Sequence, residues 1–139
     1  MQALILSVQA LHVLPAVFWA GTTFALARSG GAGAETLVRA QVGAMAVTIL
    51  AGAGMWMLTH RGAFGSAERV LAIGIACALL AGAIQTLFAL PAARALRTAG
   101  DGQTRTEAQA LRRKVAAAER VAMLLLAVTV ICMTASRYV

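Results

Sequence analysis

The sequence predicts an all-α integral membrane protein, an antiparallel up-down-up-down four-helix transmembrane bundle. Three observations carry that prediction. Hydrophobic residues make up 60% of the chain and charged residues 12%, with a mean hydropathy of +0.81, whereas charged residues are about a quarter of a soluble domain. The uncharged runs fall into four blocks, 1–27, 40–59, 70–93 and 121–136, and a membrane span needs about 20 apolar residues. The connections between blocks are short, which sets successive helices side by side and antiparallel. The 139 residues form a single four-span domain, with spans expected at about 3–27, 40–59, 69–93 and 117–136.

The first block has the length of a span and a passable cleavage site at Ala25-Leu26-Ala27. It carries no Lys or Arg at its start, and its apolar run is too long for the core of a secretory signal, so it reads as a retained helix. His12 and Pro15 lie inside it, in LHVLPAVFWAG. Proline removes a backbone donor and frees the carbonyl of Leu11 beside the histidine. The connection RSGGAGAETLVR is Gly-rich, as a helix-helix turn should be.

The second block carries Ala44, Thr48 and Gly52 at intervals of four, a row of small residues that lets helices approach closely in lipid. His60 closes it, next to Arg61. The connection HRGAFGSAER is punctuated by Gly62 and Gly65, and Ser66 is the expected N-cap of the third helix. That helix has its own small-residue row, Gly74, Ala78 and Gly82. Gln85 within it and Gln41 near the start of helix two are expected to hydrogen-bond between helices.

The third connection is longer. Thr104 and Glu107 form a T-x-x-E capping box, so helix four starts near Arg105 and is expected to project several turns beyond the bilayer before entering it near Val121. Its apolar part holds only 16 uncharged residues, 121–136, and Arg120 can extend its stem to the headgroups. The basic face of Arg112, Arg113 and Lys114 is suited to anionic lipid.

The net charge of +7 reports orientation rather than nucleic-acid binding, because the basic residues sit between hydrophobic spans. Arg28, Arg39, Arg94, Arg97, Arg105, Arg112, Arg113 and Lys114 fall on one side; Arg61, Arg69 and Arg137 fall on the other. The positive-inside rule then makes the loops 28–39 and 94–114 cytoplasmic and turns both termini outward, into the periplasm of a Gram-negative cell. The expected location is the inner membrane, with the lipid bilayer as principal partner. Other membrane subunits, or a respiratory complex, are further partners to consider.

An ionisable residue inside a span is costly and marks function by default. His12 is the one such residue well inside a block, about 12 Å below the outer surface at 1.5 Å per residue. Soft or ligating groups collect in the same outer half. Cys77 lies about 15 Å deep, Cys132 and Met133 lie just below the outer end of helix four, and Met55 and Met57 lie just below that of helix two. Imidazole, thiolate and thioether suit reduced copper and also haem iron. Trp19, seven residues beyond His12 and on nearly the same face, is a candidate pocket wall. His60 shares the outer side but not the depth of His12, against simple bis-histidine ligation of haem.

Each residue also has a packing role open to it. An isolated histidine can bond a neighbouring carbonyl, and buried cysteines and methionines are often plain hydrophobes. Five acids exist, Glu35, Glu68, Asp101, Glu107 and Glu119, and none is expected deep in a span, which argues against a carboxylate proton relay. No G-x-x-x-x-G-K-[ST], H-E-x-x-H, C-x-x-C or G-x-S-x-G motif occurs.

The pattern formed by Leu11, His12, Leu14, Ala16, Trp19 and Gly21 resembles the first helix of small four-helix membrane proteins that include the copper-resistance CopD type and the HemJ-type protoporphyrinogen oxidases. The resemblance extends weakly through RAQVGAMAVTILAGAGMW and LPAARALR. The first type implies copper handling with His12 as the motif histidine. The second implies haem b, with His12 as an axial ligand and electron transfer to quinone or a respiratory chain. The L-P-R-x-F-x-x-H continuation of the second type is replaced here by TTFALARSGG, and its lysine in the third span is missing. The expected function is therefore copper binding or passage, non-enzymatic, at a site of His12, Cys77, Met55, Cys132 and Met133, with Trp19 and His60 nearby. A haem b redox protein, a membrane oxidoreductase if enzymatic, is the second expectation, and a structural accessory subunit of a larger membrane complex the third.

Overall fold

The computed structural model describes residues 2–59, 62, 65–99 and 102–139, of Thr59 only the backbone. Its helices are α1 (Gln2–Arg28), α2 (Ala34–Thr59), α3 (Ser66–Ile84), a π-helical segment (Gln85–Ala89), α4 (Leu90–Ala99) and α5 (Arg105–Ala135). The third to fifth of these run on as one rod, Ser66–Ala99, so the chain forms four rods, each long and apolar enough to cross a membrane. The chain is an all-α, four-helix membrane bundle.

The rods are longer than the uncharged blocks, because helical hydrogen bonding continues past the last apolar residue until a cap or glycine stops it. α1 runs unbroken through Pro15. Gly30, Gly31 and Gly33 then take positive φ; the Gly31 amide donates to Leu26 O at 3.0 Å, and its Cα packs directly on the Arg112 carbonyl of α5. A side chain there would meet that carbonyl, so the turn needs glycine for contact as well as for φ. The cap of α3 differs from expectation. Gly65 holds the N-cap position, and the Glu68 carboxylate accepts from the Gly65 amide at 2.7 Å. Ser66 is the first helical residue, because the acid two residues on satisfies the free amide better than a hydroxyl. The box at Thr104 forms as expected: Thr104 N donates to Glu107 Oε2 at 3.0 Å, and Glu107 N to Thr104 Oγ1 at 3.3 Å.

The π segment precedes Pro91. Proline cannot donate to the carbonyl four residues back, and its ring crowds that oxygen. The ladder slips by one residue, and the Leu90 amide donates to Gln85 O, the wider turn of a π-helix.

α1 packs on α2 and α5, α3 packs on α5, and α2 meets the third rod mainly through α4. α1 thus stands diagonally across from the third rod, and α2 from α5. The core is built largely of alanine. One cluster joins Leu26, Ala34, Val38, Ala89, Ala92, Ala93, Val115 and Ala118; a second joins Trp19, Ala81, Ala122 and Leu126. Lipid tails are as apolar as leucine, so close packing of small side chains replaces water exclusion as the force between rods. Both clusters lie toward the end that carries residues 29–33 and 102–104. Toward the end that carries the termini, no described residue of 2–18 or 49–58 is buried.

Candidate functional site in the bundle interior

Two places in the bundle bring polar side chains together. The first is the seam of α1 and α2 around His12. Its Nδ1 lies 2.8 Å from the Thr48 carbonyl oxygen, and since a carbonyl only accepts, Nδ1 is the donor. In the neutral ring, Nε2 then keeps a free lone pair. Gly52 makes room for the ring: a Cβ at that position would fall 2.9 Å from His12 Cε1 and 3.1 Å from Nδ1. The row Ala44, Thr48, Gly52 is therefore the seat of an imidazole as well as a helix contact. His12 is half-buried there.

The other candidate ligands lie elsewhere on the same half of the rods. Cys132 sits on the α3–α5 seam, its Cβ 2.9 Å from where Gly74 would carry one, beside a bond from Thr129 Oγ1 to Gly74 O of 3.0 Å. Cys77 is half-buried on α3, which stands across the bundle from α1. Both cysteines are free thiols. Met55 and Met133 are half-buried, and Met57 is 82% exposed. Among the described residues no three His, Cys, Asp or Glu side chains gather in one place. His60 lies outside the described residues.

Trp19, a candidate pocket wall or packing residue, lies in the core. It is 2% exposed within the second core cluster, and its Nε1 donates to Gln85 Oε1 at 2.7 Å. That bond leads to the second polar place. Gln85 Nε2 donates to Glu119 Oε2 at 2.7 Å and to Thr23 Oγ1 at 2.9 Å. Gln41 Nε2 donates to the same two oxygens, at 3.0 Å and 2.7 Å. Thr23, Gln41, Gln85 and Glu119 are all fully buried. Every rod contributes: α1 gives Trp19 and Thr23, α2 gives Gln41, the π segment gives Gln85 and α5 gives Glu119. Three of the bonds run along the two diagonals of the bundle, two join neighbouring rods, and Gln41 and Gln85 both reach Glu119.

No acid was expected deep in a span, and Glu119 lies in the bundle core. Glu119 precedes the uncharged run by two residues, yet it is 0% exposed, because α5 packs into the bundle from Val115 onward instead of projecting free. The signal was present in the sequence. Val115, Glu119, Ala122 and Leu126 recur at helical spacing, one face of apolar positions with an acid in it. The expected roles of Gln41 and Gln85 in interhelical bonding are borne out.

At the loop end, Glu35, Arg39, Leu90, Ala93, Arg94 and Arg97 line a cavity of about 280 Å³ between α2 and α4. Arg112 approaches Glu35 at 3.7 Å.

Compared with protein-family models, with curated proteins and with solved structures, the chain matches none.

Proposed function

We propose that the chain is an inner-membrane protein that binds a metal cofactor through Nε2 of His12, and that the metal is copper, bound or passed on without catalysis. The observation that supports this reading is the 2.8 Å bond from His12 Nδ1 to the Thr48 carbonyl. Metal-ligating histidines almost always donate their other ring N–H to a carbonyl or carboxylate, which fixes the tautomer and aims the free nitrogen. Cys77, Cys132, Met55 and Met133 lie in the same half of the bundle and are the soft donors that reduced copper prefers. The resemblance of Leu11–Gly21 to the CopD type names the same histidine. The basic segments 28–39 and 94–114 face the cytoplasm in this reading, and His12 lies in the outer half.

One observation favours haem b as a second reading. The flank of His12 is apolar and uncovered, with Leu11, Leu14 and Leu50 all exposed, a surface that a flat apolar macrocycle on Nε2 would cover. Purified protein distinguishes the two. Stoichiometric copper in a colourless preparation, lost in His12→Ala, is the expected result. A strong Soret band overturns copper in favour of haem. Neither signal, with co-purification of larger membrane subunits, overturns both and supports an accessory subunit. Reporter fusions at the termini and in loop 29–33 test the orientation, which is wrong if the loop reporter reads as periplasmic.

A further inference from the structure

The cluster at the crossing of the diagonals leaves two of its acceptors without a donor. Both hydrogens of each amide are committed: those of Gln41 to Thr23 and Glu119, those of Gln85 to the same pair. Gln85 Oε1 is satisfied by Trp19. Two fully buried oxygens have no donor, Gln41 Oε1 and Glu119 Oε1. They belong to two side chains already joined by the 3.0 Å bond from Gln41 Nε2 to Glu119 Oε2. An amide and a carboxylic acid that share one such bond complete a cyclic pair when the acid carries a hydrogen on its second oxygen.

From this count we infer that the cluster is an intramembrane binding site for one proton, held on Glu119 Oε1 and donated to Gln41 Oε1. A single hydrogen there turns one orphaned acceptor into the donor that the other lacks. It also removes a charge that has no counter-ion. The residues that α1, α2 and the π segment present to Glu119 are Thr23, Gln41 and Gln85, none of which titrates. The nearest cations along the four rods, Arg28, Arg39, Arg94 and Arg120, are exposed, and no described basic side chain pairs with Glu119. A buried charge without a partner is among the costliest arrangements in a protein interior. The alternative donors, the Thr23 hydroxyl hydrogen or a trapped water, leave the carboxylate charged.

This inference is independent of the His12 reading, and its test needs no cofactor. Infrared spectra of the protein in lipid nanodiscs at neutral pH are expected to show the carbonyl band of a protonated carboxylic acid. The band should move on transfer to heavy water, vanish in Glu119→Gln, and shift in Gln41→Leu, where the acid loses its acceptor. Glu119→Gln should still fold, since an amide N–H replaces the acid O–H toward Gln41. Should it not fold, the wild-type band and its response to Gln41→Leu decide alone. A wild-type spectrum with only carboxylate bands overturns the proposal in favour of an anion bonded by water or by the Thr23 hydroxyl. An acid band indifferent to Gln41→Leu overturns it too, because the proton is then not where the count places it.

Discussion

Gly52 decides whether His12 keeps its place. The absence of a side chain lets the imidazole lie against α2, and Gly52→Ala puts a methyl 2.9 Å from Cε1, so the ring must leave and the bond to Thr48 breaks. The expected loss is about 0.5–1.5 kcal/mol, the worth of one hydrogen bond, read as a lower Tm in detergent, together with loss of any cofactor bound at Nε2. Retained cofactor would show that the seat does not matter. Gln85→Leu tests the other cluster. It strips Trp19 Nε1 of its acceptor and Thr23 and Glu119 of a donor, at about 1–3 kcal/mol per orphaned group, and should move the emission of Trp19 in a Trp56→Phe background. At this scale the sequence revealed His12, Gln41 and Gln85, since a polar residue in an apolar run stands out by itself. It hid Glu119, because an acid beside Arg120 at the edge of such a run looks like the start of a solvated face. Whether that face turns inward is set by three other helices.

Helix limits were legible wherever a local interaction fixes them. Thr104 and Glu107 close a box four residues long, and Thr104→Ala should cost about 1 kcal/mol and speed amide exchange in the first turn of α5, leaving the remainder protected. The glycine turn makes a sharper test. Gly30 and Gly31 share positive φ, but only Gly31 rests on another helix. Gly30→Ala should cost about 1–2 kcal/mol for the left-handed backbone alone. Gly31→Ala should cost clearly more, since α5 must also move; equal losses would mean that the Arg112 contact carries no weight. The π segment left no such local trace. Pro91 is visible, but whether a proline ends, bends or widens a helix depends on what packs around it, here Gln85 turned into a core that needs its amide.

The molecule as a whole is tied together by bonds both between packed rods and across the diagonals, and its buried residues gather toward the loop end. The pairing of α3 with α5 can be checked covalently. Gly74→Cys would place its Cβ 2.9 Å from that of Cys132, a little closer than the roughly 3.5–4.5 Å of a relaxed disulfide, so mild oxidation should join the two rods after a small outward shift. Lys114 is the only lysine, and cleavage after it should give fragments that part only on reduction. Fragments that separate without reductant would refute the pairing. The four-rod architecture could be read from hydropathy alone, because the bilayer dictates span length. Which rods stand diagonally could not, because that order is written in alanines and glycines that look alike from any side. The π segment adds one more consequence. An extra residue in a helical rod turns everything after it by about 100°, so residues 85–89 act as a phase shifter between α3 and α4. They aim Ala92 and Ala93 inward and leave Arg94 and Arg97 outside. A one-residue deletion there would remove the extra residue and let an unbroken α-helix keep the same faces inward, whereas a one-residue deletion in α3 would rotate the basic face of α4 out of register with the bundle.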